Sequence, residues 1–178
     1  MARWSHILWL GGALMVPQLC LGEEDDDAAA AHLVRALGYD HGGRVTHRIM
    51  VVSGRGASSS DRGAIEGAVG ASTLSAPAID EVQFASVGAL LKAVDAFDAD
   101  YIFVDQSMAQ SLSAVLQVSR ARKVPTIAIS CKLVERGASL GATVAEGDTT
   151  ICVNRKAMQS ESLELDAQLL RIATFVGG

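Results

Sequence analysis

From Glu23 onward, short apolar runs alternate with longer amphipathic stretches, the pattern left by buried strands separated by helices. The clearest run is RIMVVS at 48–53, which is too short for a helix, rich in β-branched residues and followed by a glycine-led loop. The same reading predicts strands over 81–85, 100–104, 126–131, 142–145 and 149–153, and helices over 28–37, 60–69, 86–97, 107–122 and 163–176. Successive strand-then-helix steps imply an α/β fold, a three-layer αβα sandwich with a mostly parallel sheet covered on both faces. Toward the end the spacing changes: two strands flank the turn Glu146-Gly147-Asp148, which predicts an antiparallel C-terminal edge hairpin. Leu169, Leu170, Ile172 and Phe175 of the last helix are expected to close the core, and Ser107-x-x-Gln110 reads as a capping box.

The N-terminus follows a different logic. Arg3 precedes an apolar run at 7–16, Pro17 breaks it, and the acidic cluster 23–27 follows. This is the layout of an export signal, with a cut after Gly22 that sets small residues, Cys20 and Gly22, where signal peptidase reads. An uncleaved anchor and a lipid on Cys20 are the alternatives, although the apolar stretch is short for a bilayer span. Removing residues 1–22 of the 178 leaves 156, the size of one ordinary domain over 23–178. The acidic cluster then stands at the start of the first helix, where negative charge is favoured.

Composition narrows the function classes. With 49% hydrophobic and 20% charged residues the chain can bury a core without metals or disulfides. Its net charge of −5 becomes −6 when Arg3 leaves with the signal, and both tryptophans, Trp4 and Trp9, leave too. An acidic chain with few aromatics does not bind nucleic acid by a basic stripe or by stacking.

Chemistry is sparse. The loop after the first strand, carrying Gly54, Gly56, Ser58, Ser59 and Ser60, could cradle a phosphate or carboxylate with backbone N–H groups and hydroxyls. It lacks the third glycine of G-x-G-x-x-G and there is no P-loop motif, so an ordinary βα loop capped by Ser60 or Asp61 is the other reading. Asp105, Gln106 and Ser107 follow another parallel strand and, like that loop, would lie at a carboxyl end of the sheet, where ligands of open α/β sheets gather. His32, His41 and His47 lack metal-ligand spacing, no G-x-S-x-G elbow exists, and Cys131 has no histidine after it. The expectation is no catalytic residue, no metal and no cofactor.

Beyond Cys20, the cysteines are Cys131 and Cys152, an even count in an exported chain. Placed in strands near one another, they are expected to form a disulfide, with two buried thiols as the alternative.

From position 100 the chain carries Gly141-Ala-Thr-Val144, the acidic turn 146–148, Ile151-Cys-Val-Asn154, Arg155-Lys-Ala157 and Leu169-Leu-Arg-Ile-Ala173. In order and spacing this resembles the YfiR-like family of small periplasmic proteins. The chain departs from that pattern where members carry an aromatic stretch ending in Trp-Pro, having GYDHG at 38–42, and where they carry Phe near Cys152. The resemblance implies a non-enzymatic periplasmic regulator that binds and restrains the periplasmic domain of a membrane signalling protein, an inner-membrane diguanylate cyclase, with disulfides that keep the repressor folded. A homodimer is a further expectation, and a periplasmic small-molecule binding protein is the alternative.

Overall fold

The computed structural model describes residues 23–40, 48–56, 60–70 and 78–177. The expected signal segment 1–22 lies outside the described residues. In chain order the elements are α1 (Glu23–Leu37), β1 (Arg48–Ser53), α2 (Ser60–Gly70), β2 (Ala78–Gln83), α3 (Val87–Phe97), β3 (Tyr101–Val104), a 3-10 turn (Gln106–Ser111), α4 (Leu112–Arg122), β4 (Thr126–Ala128), α5 (Cys131–Glu135), β5 (Leu140–Ala145), β6 (Asp148–Val153), α6 (Arg155–Glu161), α7 (Ala167–Ile172) and β7 (Thr174–Phe175).

The strands form one seven-stranded sheet in the order β2-β1-β3-β4-β5-β6-β7. Its first five strands are parallel, β5 and β6 are antiparallel, and β7 runs parallel to β6. The alternation of side chains along each strand divides the core. Ile49, Val51, Tyr101, Phe103, Ile127 and Leu140 face one side, against α1, α2 and the segment holding Met158, Leu163 and Leu169. Met50, Val52, Ile102, Val104 and Ala128 face the other, against α3 and α4. Burying one such side chain contributes roughly 1.5–3 kcal/mol, and Phe103→Ala in the interior strand β3 would cost about 3–5 kcal/mol. The α/β sandwich and the antiparallel hairpin are as the sequence predicts.

Several boundaries move. α1 takes in the acidic cluster rather than following it. β2 sits at 78–83 instead of 81–85, set by its pairing of Ala78 through Gln83 with Arg48 through Ser53. Ser107 does not cap α4: Asp105 caps the 3-10 turn by accepting the Ser107 N–H, and the α-helix proper starts at Leu112. β4 ends at Ala128, and Cys131 opens a short helix rather than ending a strand.

The last third departs most. Residues 163–176 are not one helix. Asn154 starts the unforeseen α6 by accepting the Ala157 N–H, Asp166 caps α7, and extended backbone at Ala173 lets Thr174 and Phe175 pair with Cys152 and Val153. The hairpin is therefore covered by β7, which takes the edge. Leu169 is buried and Leu170 half-buried, but Ile172 is 73% exposed and Phe175 40% exposed, so these two do not close the core.

Candidate functional site

In the strand order 2-1-3, chain crossovers leave β1 in opposite directions, which puts the switch point between the carboxyl ends of β1 and β3. There the structure brings together Gly54 and the segment Asp105 to Ser107. The Gly54 N–H donates to Ser107 Oγ at 2.7 Å, the Ser107 N–H donates to Asp105 Oδ1 at 2.7 Å, and the Asp105 N–H donates to Val52 O at 3.1 Å. Gly54 is required by close approach, since a Cβ there would stand 3.0 Å from Ser107 Oγ. Asp105 is buried, whereas Gln106 is exposed and its Nε2 donates to Ile129 O at 3.4 Å. Gly56 takes a left-handed conformation in the exposed turn, Ser60 opens α2, and Ser58 and Ser59 lie outside the described residues.

The backbone N–H that Gly54 would offer an anion is thus spent on Ser107. Beside it, the Ser53 hydroxyl donates to Glu81 Oε1 at 3.0 Å, and Arg62 bridges Glu81 and Glu66. The switch point is a hydrogen-bonded junction of two loops with a buried carboxylate in it. Among the described residues no group of three His, Cys, Asp or Glu is arranged to hold a metal. His32 lies on α1 beside a surface hollow, while His41 and His47 lie outside the described residues.

The second constellation is the disulfide between Cys131 and Cys152, whose Cα atoms are 5.5 Å apart. It fastens the start of α5 to β6 and packs with Val134, Ala138 and Val176. Gly141 on the intervening β5 allows α5 to lie this close: a Cβ there would come 2.5 Å from Val134 Cγ2 and 3.0 Å from Ala128 O. Buried Asn154 works in parallel, donating from Nδ2 to Val134 O at 3.0 Å while capping α6. Asn154 was legible as a motif residue; its dual contact was not.

A third feature escaped sequence reading. Glu161 is fully buried at the end of α6, where its Oε2 accepts the Thr126 N–H at 2.8 Å, the Thr126 hydroxyl at 2.9 Å and the Ser139 hydroxyl at 2.5 Å. Burial raises its carboxyl above the usual range, against the lowering effect of these donors.

On the surface, α7 separates two hollows. One, of about 390 Å³, lies among His32, Tyr39, Ile151, Leu169 and Ile172. Tyr39 is held there because Tyr39 O accepts the Asp166 N–H at 2.9 Å and its neighbour Asp40 accepts the Tyr101 hydroxyl at 2.5 Å. Among the described residues the exposed large hydrophobic side chains are Tyr39, Ile172 and Phe175: Ile172 ends α7, and Tyr39 and Phe175 lie in the hollows on either side of it. No described helix is long and apolar enough to cross a membrane.

The fold is shared with solved structures of low sequence identity. An ABC domain in complex with L-Trp from Streptococcus pneumoniae superposes with a TM-score of 0.61 at 14% identity, over 85% of this chain and 62% of that one. A conserved domain protein from Vibrio cholerae O1 biovar El Tor gives a TM-score of 0.62 at 15% identity, over 83% and 60%. The ligand-free, open CD0873 from Clostridium difficile, a substrate binding protein with adhesive properties, gives 0.59 at 14%, over 84% and 59%. The match thus spans about three-fifths of the length of these structures, and the likeness is one of fold. No curated protein matches the sequence. The family model described as YfiR/HmsC-like matches residues 43–174, most of the chain and all of β1 through α7. The chain belongs to the YfiR/HmsC-like family.

Proposed function

We propose that this chain is an exported, non-enzymatic regulator that binds and restrains the periplasmic domain of a membrane signalling protein, a diguanylate cyclase by family. Family membership supports the class of role. The observation that carries the docking surface is the pair Tyr39 and Ile172, two exposed large apolar side chains lining one hollow on the same face. Interfaces draw their energy from a few such apolar or aromatic anchors seated in pockets. The disulfide and Asn154 hold α5, β6 and α6 as one block behind this face.

Deleting the gene should raise cyclic di-GMP in the host, and the wild-type gene should restore it. A variant carrying Tyr39→Asp and Ile172→Asp should fail to restore it while melting like wild type, since both side chains are exposed. Unchanged cyclic di-GMP on deletion, or full restoration by the variant, would refute the reading.

The second reading, a small-molecule binding protein, draws on the junction of Gly54 with Asp105 at the switch point. It predicts that Gly54→Ala abolishes ligand-induced stabilisation, a gain of RT ln(1 + [L]/Kd) in the wild type.

A further inference from the structure

The hollow on the other side of α7 has a different chemistry. It measures about 380 Å³, within the range of small-ligand sites of roughly 300–1,000 Å³. Its floor is Met158, Leu163 and Leu170, and the first two belong to the buried core, so the groove opens directly onto apolar interior. Its rim carries Arg155 and Arg171, and no carboxylate lines it.

Like Arg35, Arg55 and Arg120, these two arginines have no carboxylate partner among the described residues, and they converge on one apolar groove. Arg48, Arg62 and Arg122 are each paired with carboxylates, and Arg136 donates to Ala109 O. Neither Arg155 nor Arg171 has an ion-pair or hydrogen-bond partner among the described residues, in a chain with a net charge of −5. Arg155 is nevertheless held in place, its guanidinium 3.9 Å above the Phe175 ring. Stacking occupies the face of the guanidinium and leaves its edge, a planar fork of N–H donors, open to a carboxylate. A neighbouring hollow shares Arg155 and Phe175 and adds Lys156, which extends the cationic rim.

We infer that the groove between α6, α7 and β7 binds an amphipathic carboxylate, its alkyl chain on Met158, Leu163 and Leu170 and its head on Arg155 and Arg171. Gln159, the one neutral polar side chain lining the groove, offers too few partners for a sugar or a nucleotide, and two arginines with no carboxylate beside them disfavour an amine. The chemistry fits a medium-chain fatty acid. The site lies across α7 from Tyr39 and Ile172 and does not depend on the partner reading.

Calorimetry on the purified, oxidised protein with decanoate below its micelle concentration tests this. Saturable one-to-one binding is expected, with none for acetate, decanol or decyltrimethylammonium. Arg155→Gln with Arg171→Gln should weaken binding at least about tenfold, the scale of two lost charge-assisted contacts. Ala167→Trp, which fills the groove and keeps both arginines, should also weaken it, so that loss does not hinge on charge alone. Absence of decanoate binding, equal binding of acetate, or binding unchanged in both variants would overturn the inference. So would binding to anionic phosphatidylglycerol vesicles in the absence of decanoate binding, which would make the rim a membrane contact. Because the protein is tested alone, failure here leaves the cyclic di-GMP experiment standing, and the converse holds.

Discussion

Glu161 and Ser139, 22 residues apart, meet in the interior at 2.5 Å, the serine hydroxyl donating to the carboxyl Oε2. Both residues are fully buried, and Thr126 supplies two further donors to the same oxygen. The other oxygen, Oε1, and the buried Ser119 hydroxyl have no hydrogen-bond partner among the described residues, and Ser119 sits close enough to influence the carboxyl.

The pH dependence of stability follows. Burial raises the Glu161 carboxyl above its unfolded value, so the folded state holds this proton more tightly than the unfolded chain. Its contribution is fully present below the ordinary carboxylate range and is lost as pH rises through the raised folded value. Denaturant titration should show this group weakening the fold from acid toward neutral pH. Glu161→Gln, which keeps an acceptor for the three donors and offers an amide N–H toward Ser119, should flatten that slope and cost less than about 1 kcal/mol at neutral pH. Glu161→Ala, which strands three buried donors, should cost about 3 kcal/mol or more. A slope unaltered by Glu161→Gln would show that the carboxyl titrates alike in the folded and unfolded chain, against the raised value that burial implies.

Reduction of the bridge between Cys131 and Cys152 should destabilise the protein by about 2–4 kcal/mol. Thiol titration of the denatured, unreduced mature protein should find no free thiol. Two thiols per chain would show that the bridge does not form in the cell.

At the sheet switch point, Gly54→Ala and Ser107→Ala should each cost about 1 kcal/mol, the first by crowding Ser107 Oγ and the second by orphaning the Gly54 N–H. Their double mutant should cost less than the sum by about 0.5 kcal/mol or more, because removing the hydroxyl relieves the crowding. Strict additivity would mean that the two loops do not touch in solution.

Export with cleavage after Gly22 is expected from Arg3, the apolar run 7–16 and Pro17. Intact mass of the protein recovered from its host should correspond to a chain starting at Glu23. A chain starting at Met1, or a lipid on Cys20, would contradict this.

Much of the fold was legible because central strands of a parallel sheet are buried on both faces and leave unbroken apolar runs: 48–53 and 101–104 are read directly. The hairpin was legible for a local reason as well, since Glu146 and Gly147 both adopt the left-handed backbone its tight turn needs. The 163–176 region was not, because Leu169, Leu170 and Ile172 mimic a helical stripe, whereas the break at Ala173 is set by pairing with β6. At the candidate site, the loop at Gly54 and the segment after Val104 were each legible as carboxyl ends of parallel strands, whereas their meeting through Ser107 depends on the strand order 2-1-3, which no run of residues spells out. Nothing near Glu161 marks it as buried, because its partners Thr126 and Ser139 lie 35 and 22 residues away and arrive only through tertiary packing.

The bridge also sets how the chain would bear load. Pulled from its two ends, the force crosses from the start of α5 straight to β6, and the β5–β6 hairpin carries no tension along its own backbone. A 21-residue separation at about 3.4 Å per residue withholds roughly 70 Å of contour length until the sulfurs are reduced. Under oxidising conditions the protein is therefore a shorter tether than its sequence allows, and a reductant lengthens it without cutting the chain.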